Sequence, residues 1–365
     1  MTTLRDVAAA AEVSVGTASN VFSRPELVSD SARDRVRAAA RKLGYAGPDP
    51  AARRLRTGIA GAIGLVFTYT LEFAFADAAA VAFLRGLAGG LHERQSGLLI
   101  VPTTRSEVLQ LGEGGEVVVR DALVDGFVVY SAPDRDPRVE AAIARRLPTV
   151  IVDQPRDLNR LPFVGIDDHA GAQAAAEHVR RLGHRHTAIV SFGPSADDAG
   201  QQPFPLTAER LAGYRAGLGP LADTTPVYIC RPNAIEHAEN LAREVLSRAD
   251  RPTAILAMSD AIALGFRRVA AELDIAVPDE LSIVGFDDSP LAALSDPPLT
   301  TVAQPLEDKG RVAAELLLAA VAHRRRVRRR TILPVELRVR GTTAAPPGLS
   351  APRVTPTSRT RTRRH

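Results

Sequence analysis

The chain has 365 residues, 45% of them hydrophobic and with acidic and basic residues close to balance, which is enough for two or three domains and a sizeable core. No apolar run approaches the ~20 residues of a membrane span and the N-terminus has no apolar secretory core, so a cytoplasmic protein is expected. A single cysteine excludes a disulfide framework and a thiolate metal cluster; within Val227-Tyr-Ile-Cys230 it reads as a buried strand thiol. The net charge of +4 is unevenly spread: residues 1–60 and the arginine-rich end are positive, and the residues between are net negative. Positive charge at the N-terminal end suits phosphate contact.

The first predicted element is a short helix after Thr3. Thr3 followed by Asp6 is a capping pair, and Leu4, Val7 and Ala8 repeat at helical spacing. Ser14 caps a second helix whose apolar face is Ala18, Val21 and Phe22. Its other face, Val15, Gly16, Thr17, Ser19 and Asn20, is small and polar, as a helix entering a DNA major groove requires. A third helix runs from the Ser29 cap to the Gly44 stop, with Val36, Ala39, Ala40 and Leu43 facing inward. For these helices alone, the alternative is a small helical cap on an enzyme.

Asp49 is a good N-cap and Pro50 suits a first helical position, which predicts a further helix too short to persist alone in water. Leu55 lies on it among Arg53, Arg54 and Arg56. A lone apolar wedge between arginines suits insertion between base steps in the minor groove; a linker whose Leu55 packs on the body is the competing reading.

From Ile63 onward, short apolar runs alternate with Ala/Leu-rich helical stretches. The runs are Ile63–Phe67, Leu98–Val101, Gly126–Tyr130, Thr149–Asp153, Val164–Asp167, Thr187–Phe192, Val227–Cys230, Ala254–Met258 and Ser282–Asp287. Such alternation marks parallel sheets with helices on both faces, so the fold class is α/β, an all-α N-terminal domain followed by a doubly wound body. The strands are too many for one comfortable sheet, which predicts two similar halves hinged together. Ligands in such folds sit at the carboxyl ends of strands, so strand-end polar residues of both halves should face one cleft. Past Gly341 the Thr/Ala/Pro-rich and then arginine-rich run cannot bury a core and reads as disordered. The expected organisation is residues 1–46, a hinge over 47–60, a body over 61–341 and a tail over 342–365.

A helix-turn-helix, a third helix ending in Leu43-Gly-Tyr45, a hinge with Ala52-Arg53-Arg54-Leu55 and then Gly61-Ala-Ile-Gly-Leu-Val66 together resemble the LacI/GalR family of transcriptional regulators. Further family-like segments recur in order: Gly171–Arg185, Glu209–Tyr214, Ser259–Gly265, Val284–Asp288, Leu299–Val302 and Leu333–Gly341. The resemblance implies a body with the fold of periplasmic sugar-binding proteins, its chain crossing between subdomains near Gly165, Ser289 and Arg328. It also implies a homodimeric repressor on a near-palindromic operator, controlled by a sugar-like small-molecule effector, with no cofactor, metal or membrane partner. The DNA contacts it implies are Thr3, Ser14, Val15, Gly16, Thr17, Ser19, Asn20, Ala52, Arg53 and Leu55. Val15 and Gly16 offer no side-chain hydrogen bond, so base readout leans on Asn20 and on apolar contact with thymine methyls. Thr17 and Ser19 suit phosphates.

For the effector, the resemblance implies Phe75, Tyr130, Asp153, Arg210, Ser259 and Asp287, with Phe73 as a neighbour that could exchange roles with Phe75. Asp260 and Asp288 read as helix caps. Two departures loosen a hexose assignment: Pro203-Phe-Pro-Leu206 upstream of Arg210, and Asn233 where relatives stack an aromatic. The chain has no Gly-Xaa-Ser-Xaa-Gly elbow, His-Glu-Xaa-Xaa-His motif or phosphate-cradling Gly-Lys-Ser/Thr loop, so a non-enzyme is expected. His184 and His186 lack a third ligand. The rival class is a cytoplasmic solute-binding sensor without specific DNA binding, which leaves residues 1–58 unexplained.

Overall fold

The computed structural model describes residues 2–47, 58–67, 70–101, 115–193, 205–323 and 329–348. Ala52, Arg53 and Leu55 of the expected hinge lie outside these residues. The chain divides into two compact units, Met1–Gly61 and Ala62–His365.

Among the described residues the first unit has three α-helices: α1 (Leu4–Ala10), α2 (Val15–Ser23) and α3 (Asp30–Lys42). Each begins where a side chain satisfies an orphan backbone donor. Thr3 and Asp6 form a reciprocal capping box, and the Thr17 and Ala32 N–H groups donate to the Ser14 and Ser29 hydroxyls. Val7, Ala18, Val21, Val36, Ala39 and Ala40 make the small core. Leu43, expected to face inward, is 36% exposed. The reason is the α3 stop. Gly44 takes φ +64, and the Tyr45 N–H returns to the Ala40 carbonyl while that of Gly44 returns to Arg41. That turn brings Tyr45 edge-on to Phe22 at 5.7 Å in place of Leu43.

The second unit holds two six-stranded sheets. The first has the order β11 (Arg330–Leu333), β5 (Phe163–Ile166), β4 (Thr149–Val152), β3 (Phe127–Tyr130), β1 (Ala62–Phe67), β2 (Gly97–Val101). The second has β12 (Glu336–Arg338), β10 (Thr300–Ala303), β9 (Ser282–Asp287), β8 (Ala254–Ala257), β6 (Thr187–Phe192), β7 (Val227–Cys230). All pairings are parallel except β10 with β12. Each expected run forms a strand within one residue of its bounds. Alternate residues face opposite layers: Ile63, Leu65 and Phe67 join one cluster and Val66 the other, as Ile255 and Ala257 do against Leu256. Burying both faces explains why the strands read as continuous apolar runs.

Helices α4 (Leu71–Ala76), α5 (Ala78–His92), α6 (Gly115–Asp121), α7 (Pro137–Ala144) and α13 (Leu306–His323) cover the first sheet. Helices α8 (Asp168–Arg181), α9 (Pro205–Leu218), α10 (Ile235–Leu246), α11 (Asp260–Glu272) and α12 (Pro290–Leu294) belong with the second. Helices α5 and α13 meet so closely that a Cβ on Gly86 would lie 1.8 Å from the Glu307 carbonyl oxygen.

The chain passes from β5 to α8 at Asp167. The other two crossings differ from those expected near Ser289 and Arg328. Helix α12 and β10 stay with the second sheet because β10 pairs with β9, so that crossing falls at Gln304-Pro305. Strand β11 pairs with β5 and β12 with β10, which moves the last crossing to Pro334-Val335. Ordered chain also continues beyond residue 341. Buried Thr342 donates to the Ile283 carbonyl at 2.7 Å and accepts from the Thr300 N–H at 2.9 Å, and the Ala344 carbonyl accepts from His184 at 2.9 Å. Cys230 is buried, its thiol donates to the Pro232 carbonyl, and burial pushes it up to about 11.

Candidate functional site

In the N-terminal unit, α2 buries Ala18 and Val21 and leaves Ser14, Val15 and Gly16 exposed, Val15 at 45%. Thr17, Ser19 and Asn20 are half-buried on the same helix. Thr3 and Ser14 are engaged as caps, Thr3 with Asp6 and Ser14 with both the N–H and the hydroxyl of Thr17. The outward face therefore ends in a side chain with amide hydrogen-bonding groups, Asn20, beside two groups that offer only shape. That is a surface able to lie flat against base edges.

In the body, the carboxyl ends of both sheets converge on a ring of charged side chains. Asp153 ends β4, and the Lys309 ammonium of α13 donates to its Oδ1 at 2.8 Å and to Gln304 Oε1 at 2.6 Å. Gln304, at the second crossing, donates through Nε2 to Asp287 Oδ1 at 2.6 Å. Arg210 of α9 approaches the same Asp287 oxygen at 3.9 Å, donates from Nε to Asp168 Oδ1 at 2.9 Å and from Nη1 to the Met258 carbonyl at 2.6 Å. Arg156 pairs with Asp168 and donates from Nε to the Asp153 carbonyl at 3.2 Å, closing the ring. Asp153, Arg156 and Lys309 belong to the first half, and Asp168, Arg210 and Asp287 to the second. The ring is thus a tie between them.

Burial works against the Arg210 charge, yet the carboxylates of Asp168 and Asp287 outweigh it and raise the guanidinium above its ordinary value. The guanidinium carbon also stands 3.6 Å from the centre of the Phe286 ring. Asp287 moves the other way from most ion-paired carboxylates. Burial raises it well above the usual range, and Asp260 and Asp77 add to this against the pull of Arg210. Asp260 is pushed up to about 7, chiefly by burial.

Beside the ring lies a cleft of about 140 Å³ that opens to solvent. Phe73, Asp77 and Ala79 line it from the first half, and Asn233, Asp260 and Asp287 from the second. Asp77 caps α5 through the Ala80 N–H at 2.7 Å.

Residues 3–47 match the profile of bacterial regulatory proteins of the lacI family, and residues 176–343 that of the periplasmic binding protein-like domain. The chain is 40% identical over 359 residues to the HTH-type transcriptional regulator Rv3575c of Mycobacterium tuberculosis, with 94% of this chain and 97% of the relative covered. The protein belongs to the LacI family. It is a DNA-binding transcriptional regulator, and its family is one of regulators and not of enzymes. The HTH-type transcriptional repressor CytR of Escherichia coli is 30% identical over 351 residues, covering 94% of this chain and 97% of CytR. Among solved structures, a complex of the transcriptional regulator CelR with cellobiose aligns with a TM-score of 0.66 at 28% identity, over 94% of this chain and all of that one. The lac repressor dimer bound to operator and an anti-inducer shares the fold, with a TM-score of 0.75 at 24% identity over 94% of this chain and 99% of its own. Among the described residues no helix is long and apolar enough to cross a membrane.

The residues that the family resemblance singles out are distributed unevenly around the LacI-type cleft. Asp287 lines it directly. Asp153 and Arg210 lie in the ring. Tyr130 is stacked on Phe83 at 4.0 Å and Phe67 at 5.4 Å. Ser259 is the N-cap of α11 and donates to Asn233 Oδ1 at 2.6 Å, so it positions a lining residue. Phe73 lines the cleft, whereas Phe75 is 63% exposed and is absent from its lining. Asp260 is not the cap of α11; its carboxylate accepts from the Thr301 hydroxyl and the Ser289 N–H, both at 2.6 Å. Asp288 pairs with Arg338 and Arg340, and Ser289 takes the N-cap position of α12. Lys309, Gln304, Asp168 and Asp77 escape a reading by motif. Only Asp77 leaves a local trace, as an aspartate directly before an alanine-rich helix.

Proposed function

We propose that this regulator is a homodimeric, cytoplasmic repressor whose operator affinity is set by a polyhydroxylated effector held in the cleft between the two sheets. The observation that carries the reading is the ring joining Asp153, Lys309, Gln304, Asp287, Arg210 and Asp168. It lies at the carboxyl ends of both sheets, beside an open cleft, in a chain that also carries a capped recognition helix. The cellobiose bound by CelR supports a sugar-like class. In this reading residues 1–46 read the major groove through Val15, Gly16 and Asn20. Thr3, Ser14, Thr17 and Ser19 approach phosphates, and Ala52, Arg53 and Leu55 of the 47–60 hinge enter the minor groove at the operator centre. An effector that closes the cleft shifts the two halves and, with them, the spacing of paired hinges.

The test is binding to DNA upstream of the protein's own gene and its neighbours, at two salt concentrations, with and without a panel of sugars and cyclitols. The expected result is salt-sensitive binding to one palindrome that a member of the panel shifts. A Leu55→Ala variant should lose operator affinity with effector affinity intact. Unchanged operator binding would sink the wedge, and specific binding to no DNA would leave a solute sensor.

A further inference from the structure

The charged side chains lining the cleft all have one sign. Asp77 comes from the first half, and Glu236, Asp260 and Asp287 from the second; among the described residues no lysine or arginine lines it. The nearby cations are already engaged, Arg210 with Asp168 and the Met258 carbonyl, Lys309 with Asp153 and Gln304. The carboxylates are not equivalent. Asp260 has both oxygens filled, by Thr301 and Ser289, so it contributes field and no ligand contact. Asp287 is 8% exposed, and its Oδ1 takes the Gln304 amide, while Oδ2 has no donor among the described residues. Asp77, half-buried, faces it from the other half closely enough to disfavour its ionisation. The remaining lining includes Phe73, Ile235, Leu264 and Leu291, apolar surface for one face of a ring.

We infer that the cleft takes a polyol carrying a protonated amine, which bridges Asp77 and Asp287 across the two halves, in preference to the neutral or anionic counterpart of the same polyol. The inference rests on the effector reading above and narrows its ligand class. Carboxylates on facing walls repel when both are ionised, and that repulsion opposes closure. An ammonium between them turns that repulsion into two charge-assisted hydrogen bonds and draws the walls together. A neutral polyol leaves the repulsion standing, and a phosphorylated one adds to it. Burial, Asp260 and Asp77 raise Asp287 against the pull of Arg210 and Gln304, and an ammonium placed beside it favours the ionised carboxylate.

Isothermal titration of the full chain near neutral pH with glucosamine, galactosamine, their neutral parents and glucose 6-phosphate tests this. One amine should bind its site about 10- to 100-fold more tightly than its parent, the effect of a charged hydrogen bond. The phosphate should not bind. Asp77→Asn, which keeps a good N-cap for α5, should erase the amine's advantage over its parent. A parent that binds as well as its amine, or a bound phosphate, overturns the inference and leaves the effector reading standing. Binding of none of them, with specific operator binding intact, overturns both.

Discussion

Replacing Lys309 by Met tests whether the ring holds the body together. The ammonium is 1% exposed and is shared by Asp153 Oδ1 and Gln304 Oε1, so methionine fills the space of the stem while removing the charge. Asp153 then remains only 10% exposed at its side chain, without a counter-ion, on a backbone already at φ +64. Breaking a buried pair from one side costs about 3–5 kcal/mol, because the stranded charge keeps its full desolvation penalty. For a body of this size that lowers Tm by roughly 10 °C. Adding Asp153→Asn removes the stranded charge, so the double variant should be more stable than Lys309→Met alone. Urea unfolding followed by circular dichroism, with the slope unchanged, measures both. A loss under ~1 kcal/mol in Lys309→Met, the range of an exposed ion pair, would refute the reasoning. So would a double variant no more stable than the single one.

The remaining expectations concern three other parts of the molecule. Asn20→Ala should weaken operator binding by about 1–3 kcal/mol, the range of one base contact, and relax discrimination at a single base pair; a uniform loss over all sequences would move Asn20 to the phosphate contacts. Gly86→Ala places a Cβ 1.8 Å from the Glu307 carbonyl, so α5 and α13 must separate, and thermal unfolding should show a loss of at least ~1–3 kcal/mol; wild-type stability would contradict the close approach. His184 is lowered from 6.5 by burial and holds Thr253, Ser282 and the Ala344 carbonyl. The unfolded chain therefore binds its proton first, so the stability His184 supports is present above pH 6.5 and drains as pH falls below it. Asp260, raised to about 7, has the opposite sign, its contribution being lost as pH rises towards that value. The difference between wild type and His184→Gln isolates the histidine, and should shrink as the solution is acidified; a pH-independent difference counts against it.

Features set by neighbours in the chain were legible in the sequence. The caps at Thr3, Ser14 and Ser29 each act within three residues, and the strands announce themselves because both faces are buried. Features set by pairing between distant segments were not. The second crossing falls after β10 and not near Ser289 because β10 pairs with β9, which no local pattern shows. Phe73 and Phe75 look interchangeable in the chain, but Thr70 caps α4 by accepting from the Phe73 N–H, and that sets the helical phase. The phase points Phe73 to the cleft and Phe75 outward. Asp168 reads as an ordinary first-turn acid of α8, which suits the helix dipole. Only the fold brings it to Arg210, 42 residues away.

The placement of Asp153 and Asp287 connects the strain in the backbone with the function of the cleft. Both end strands, both sit in the ring, and both take positive φ, +64 and +123, conformations that L-residues adopt at a cost of about 1–3 kcal/mol each. Such conformations persist only where the surroundings over-determine them. Here the Lys309, Gln304 and Arg210 contacts do so, from three different elements. The same contacts bind one half of the body to the other. A ligand that takes Asp287 away from Gln304 or Arg210 therefore acts on more than one hydrogen bond. It releases a constraint that holds two strained strand ends and the relative position of two sheets. An effector needs only a differential interaction with one carboxylate to shift that equilibrium. Arg210 and Asp153 hold the halves in register, while Asp287 is the ring member that lines the cleft itself.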